Sequence, residues 1–91
     1  MTRDCRFRRA PSALARTVGL EVLVATPGDA HIRSLGGTAG VVWELMSEPR
    51  SVGELSVLAA DIYGMPPATI EEDVRHLLSA LEEDGLAERV G

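Results

Sequence analysis

The apolar positions of this chain change their period part-way along. From Leu14 to Leu35 they come in short runs separated by turn residues: Leu14–Val18, Glu21–Thr26 around Val22-Leu23-Val24, and residues 31–35. Short runs with β-branched residues predict strands. Gly19-Leu20 can make a two-residue turn, with glycine supplying positive φ. Pro27-Gly28-Asp29-Ala30 is strong turn chemistry. Two successive hairpins therefore predict a three-stranded antiparallel meander.

Beyond Gly36-Gly37 the spacing becomes helical. Val42, Leu45 and Met46, with Trp43 beside them, predict a first helix over about 37–46, ended by Ser47-Glu48-Pro49. Ser51 with Glu54 three residues on is a capping box for a second helix carrying Leu55, Leu58, Ala59 and Ile62, and Gly64 lies just past its end. A third helix starts between Pro67 and Thr69, where Thr69 and Glu72 repeat the capping-box spacing. Its apolar stripe is Ile70, Val74, Leu77, Leu78 and Leu81, and Gly85 stops it. Leu86–Val90 reads as a short extended tail. The predicted fold is α+β: a winged helix-turn-helix, with a three-stranded antiparallel β-meander followed by three α-helices.

Charge divides the chain. Arg3, Arg6, Arg8, Arg9 and Arg16 face Asp4 in the first sixteen residues, whereas the remainder carries Arg33, Arg50, Arg75 and Arg89 against thirteen acids. Residues 1–12 show no periodicity and read as a flexible basic tail, ahead of one winged-helix domain over 13–91. The third helix would be the one to enter a DNA groove. It carries Glu71, Glu72, Asp73, Glu82, Glu83 and Asp84 against Arg75 and His76, which opposes phosphate and argues against nucleic acid. No apolar run approaches the length of a membrane span, and Arg16 and Glu21 interrupt the one stretch resembling a signal peptide. The expectation is a cytoplasmic protein without membrane contact.

Catalytic chemistry is almost absent. There is no phosphate-binding glycine loop, no His-Glu-x-x-His and no paired cysteine. Cys5 falls in the tail, with no base to activate it. His31 and His76 lack a companion ligand set. No catalytic residue, metal site or cofactor is expected, and the chain reads as a non-enzyme. What remains is the third strand, an edge of the meander. His31, Ile32, Arg33, Ser34 and Leu35 include neither Pro nor Lys, so little guards the edge, and such an edge can take a peptide as an added strand. An ordinary edge protected by Arg33 is the plainer alternative. If Leu35 faces the helices, Arg33 faces the groove, although Ile32 is the more natural inward residue.

The residues also resemble a family. Leu35, Thr38-Ala39, Val42-Trp43, Leu45, Ser51-Val52, Glu54-Leu55, Asp73-Val74, Leu78, Leu81 and Gly85-Leu86 follow, in order, the blocks of the PqqD-like proteins. These are leader-peptide recognition elements of ribosomally synthesised, post-translationally modified peptide pathways. Gly36 stands where the family often has Asn, and either can cap a helix. The resemblance implies a binder that holds a precursor's leader between its third strand and third helix. The peptide-binding set would then be residues 31–35 together with Asp73, Val74, Leu77, Leu78 and Leu81, with Leu77 leaning towards the groove. The chain is most similar to the free-standing leader-binding proteins of lasso-peptide clusters. Its implied partners are the leader and a maturation enzyme, namely a leader peptidase and, in that pathway, a cyclase. A winged-helix transcription regulator, or a PqqD-like chaperone of a radical-enzyme or pyrroloquinoline quinone pathway, is the alternative.

Overall fold

The computed structural model describes residues 5–28 and 32–90. In chain order the elements are β1 (Arg6–Arg9), β2 (Leu14–Val18), β3 (Glu21–Ala25), β4 (Arg33–Leu35), α1 (Thr38–Leu45), β5 (Arg50–Ser51), α2 (Val52–Tyr63), α3 (Pro67–Glu83) and β6 (Ala87–Val90). The meander is present as β2-β3-β4, antiparallel throughout. Gly19, at φ 62°, provides the turn between its first two strands. Alternation in β3 sets the inner face: Val22 and Val24 are buried, and all of β2 is exposed.

Three helices follow, as the periodicity predicts. Val42, Trp43 and Met46 of the α1 region are buried, and Leu55, Ala59 and Ala60 of α2 meet Ile70, Val74, Leu78 and Leu81 of α3 in one core. The Ser51 capping box is formed in both directions. The Ser51 hydroxyl accepts from the Glu54 N–H at 3.1 Å, and the Glu54 carboxylate accepts from the Ser51 N–H at 2.9 Å. The bond from the Ser51 backbone holds the Glu54 carboxyl below its ordinary value. Gly64 and Gly85 take left-handed conformations and end α2 and α3. Behind them Met65 N–H donates to the Ala60 carbonyl and Leu86 N–H to the Leu81 carbonyl, the backward bonds of a Schellman end.

α1 and α3 begin where the periodicity predicts, but their caps differ from expectation. Gly37, not Gly36, is the N-cap of α1, at φ 57°. The Thr69–Glu72 box does not form. Pro66 is the cap of α3 and Pro67 opens it, so Thr69 N–H already bonds to the Pro66 carbonyl at 3.1 Å. Proline suits a first turn because its missing N–H has no partner there.

Part of the expected tail is also corrected. Arg6–Arg9 form the centre of a second sheet, β5-β1-β6. Burial of Phe7 holds it to the core. Two of the arginines that made it look like a solvated tail have partners. Arg8 pairs with Glu88 at 2.9 Å. Arg9 donates to the Trp43 carbonyl at 2.7 and 3.0 Å, and its guanidinium lies 5.1 Å from the Trp43 ring centroid. Arg50 donates to the Leu45 carbonyl at 2.7 Å. Two cations thus sit on the C-terminal carbonyls of α1, where the helix dipole favours positive charge.

Candidate functional site

β4 pairs with β3 alone, so its other side is an open edge among the described residues. The register resolves the question of faces. Leu35 lies opposite Val22 and Arg33 opposite Val24, and both valines are buried. Leu35 and Arg33 therefore point inward with them. Ile32 is 68% exposed, and the Ser34 hydroxyl turns out to the Glu21 carboxylate at 2.7 Å. Leu35 belongs to the core. Its carbonyl lies only 3.0 Å from where a Cβ on Gly40 would be, so α1 packs directly on the end of β4. His31 lies outside the described residues.

Arg33 reaches across to the far end of α3. Its guanidinium pairs with Asp84, the C-cap of that helix, at 2.5 Å, and both side chains are 40% exposed. An open cleft of about 490 Å³ lies beside the pair, lined by Val24, Ala25, Thr26, Ile32, Arg33, Asp84 and Leu86. Its walls are polar and apolar in near-equal measure, and its charged groups are a matched pair. Such a half-exposed ion pair contributes about 0–1 kcal/mol. A ligand carboxylate could take Asp84's place on Arg33 at small cost.

The α3 stripe divides. Val74, Leu78 and Leu81 are at most 1% exposed and pack into the core. They are corrected from contact residues to core residues, because a side chain spent on the core has no surface left to offer. Leu77 is half-buried at the core margin and Asp73 is exposed, so these two carry the accessible part of the stripe. Asp84, Leu86 and the β3 end were not expected at the site. A cleft at the strand end follows from the inward parity of Arg33, which Val22 and Val24 signal through their alternation. Among the described residues no three His, Cys, Asp or Glu side chains converge as metal ligands, and no helix is long and apolar enough to cross a membrane.

The fold has solved counterparts. One is TbiB1, determined in complex with the TbiA(beta) leader peptide. It superposes with a TM-score of 0.80 at 20% identity, over 92% of this chain and 98% of that one. Another is the PqqD truncation of Methylobacterium extorquens PqqCD, described as a functional, stand-alone recognition element for ribosomally synthesised and post-translationally modified peptides. It superposes with a TM-score of 0.76 at 21% identity, over 92% of this chain and 89% of that one. No curated protein sequence matches. The family model for coenzyme PQQ synthesis protein D matches residues 21–87, from the first residue of β3 to the first of β6. That span covers well over half of the chain and includes the meander edge, all three helices and the cleft, and the protein belongs to the PqqD family.

Proposed function

We propose that this protein is a non-catalytic recognition element that captures the leader of a ribosomal precursor peptide. The leader adds as a strand to the open edge of β4, in the groove between β4 and α3, and the bound precursor is delivered to a maturation enzyme, the leader peptidase of a lasso-peptide pathway. The observation that carries this reading is the open β4 edge beside a cleft that combines apolar walls with the Arg33–Asp84 pair. Support comes from TbiB1, which shares the fold and was solved with a leader peptide. Main-chain pairing at the edge would supply affinity, and alternate side chains would supply selectivity. Arg33, Ile32, Leu77 and Asp73 are the surface residues placed to read the leader, and Leu35, Val74, Leu78 and Leu81 hold the groove's shape. The proposed setting is the cytoplasm, where such precursors are translated.

A second reading, service in pyrroloquinoline quinone synthesis, is favoured by the family model and by the PqqD truncation. Isothermal titration separates the two. Binding of a lasso precursor leader near micromolar, roughly −8 kcal/mol, with weak binding of the quinone precursor, supports the first reading, and the reverse order supports the second. Arg33→Ala should weaken the tighter complex by about 1–2 kcal/mol if its ligand partner is charged. Failure of both peptides to bind would remove leader recognition altogether.

A further inference from the structure

At the other end of β3, by the β2–β3 hairpin, lies a second groove, about 610 Å³, that shares no lining residue with the cleft beside β4. One wall is a single face of α1: Gly40, Val41, Glu44 and Leu45 recur at the three- and four-residue spacing of a helix row. The other walls are the tip of the β2–β3 hairpin and the last turn of α2. Large apolar side chains stand open around it. Leu20 at the hairpin tip is 98% exposed and Ile62 is 59% exposed, with Tyr63 beside it. A contiguous apolar surface of this kind marks an interaction site more often than scattered exposed residues do.

We propose that this groove docks an amphipathic helix of a second protein whose apolar ridge is flanked by Lys or Arg. The ridge follows from the shape. The groove runs along the Val41 and Leu45 face of α1 and has room for a few large side chains of the kind a helix presents at i, i+3, i+4 and i+7. The flanking cations follow from charge. Glu44 is the charged residue of the lining, its side chain is 61% exposed, and Asp61 precedes Ile62 on α2. The nearby cation, Arg9, donates to the α1 carbonyls and lies 3.8 Å from the Glu44 carboxylate, a long, solvent-screened pair that a partner's cation can join. A second copy of this chain is a poor occupant, because it would bring the same acidic rim against this one in a molecule of net charge −5. The two grooves lie apart, so a peptide on β4 and a helix here can be held together. The docking surface does not depend on what β4 binds.

The test uses the intact, isotope-labelled chain and a synthetic helix of about 18 residues, roughly five turns, with Leu along one face and Lys on its flanks. A matched peptide with Glu in place of Lys is the control. Amide shifts confined to the hairpin tip, the Val41–Leu45 face and the end of α2 are expected, with binding at least tenfold weaker for the Glu peptide. Leu20→Ser and Ile62→Ser, both at exposed positions, should each weaken binding at least tenfold while leader titration on the same variants stays unchanged. Shifts at β4, equal binding of the two peptides, or no effect of either substitution would overturn the proposal. So would a dimer in sedimentation equilibrium that Leu20→Ser dissolves, since the occupant would then be a second copy.

Discussion

Replacing Trp43 by Ala should remove a large share of this domain's stability. The indole is 1% exposed in the centre of the core. A buried aromatic side chain covers about 200 Å². At about 25 cal/mol per Å² its transfer from water is worth about 5 kcal/mol. That is an upper bound, because the unfolded chain already hides part of it. Measured truncations of buried Phe or Trp cost about 3–5 kcal/mol. The substitution also removes the ring beneath Arg9, 5.1 Å from the guanidinium, a contact worth about 0.5–1 kcal/mol at a partly exposed site. A chain of this length has roughly 5–14 kcal/mol in all. Urea denaturation followed by far-ultraviolet circular dichroism should show a midpoint lowered by about 2–3 M, at the slope usual for a small domain, or no folded baseline at all. A loss below about 1 kcal/mol would refute the reasoning, since it would mean that the core closes without the indole.

On α3, Leu78→Ser should cost about 2–5 kcal/mol because Leu78 is a core residue, whereas Leu77→Ser should lose little stability and weaken leader binding. Equal stability losses with leader affinity intact would contradict that division. The Glu54 carboxyl is held low by its bond from the Ser51 backbone. Its stabilising contribution is therefore present above the unfolded carboxylate pKa and is lost as pH falls through the lower folded value. Glu54→Gln should accordingly show a shallower loss of stability on acidification than the parent, and denaturation series from neutral to acid pH will show whether it does. Ser51→Ala removes the hydroxyl from the same box and should cost about 1 kcal/mol at neutral pH, checked by the same denaturation.

The three helices were legible because each announces itself locally: Ser51 and Glu54 at a start, Gly64 and Gly85 at stops, and Val74, Leu78 and Leu81 along a stripe. The second sheet was not. β5 is two residues long, too short for any period, and β1 places one apolar residue, Phe7, among arginines whose partners lie far along the chain at Trp43 and Glu88. Long-range pairing of this kind leaves no local pattern. At the candidate site the strand was legible, and so was Leu77's place off the buried row of α3. The ion pair between Arg33 and Asp84 was not, because it depends on where the end of α3 comes to rest.

Amide hydrogen exchange with saturating leader peptide tests the central claim most directly. A peptide added to β4 takes up the outward N–H groups of that edge, and those groups alternate along a strand. Slowed exchange at alternate positions within residues 32–35, accompanied by shifts at Asp73, Leu77 and Asp84, is the result expected of strand addition in the groove between β4 and α3. Exchange at β4 that is unchanged on binding, with protection gathered on another surface, would contradict it.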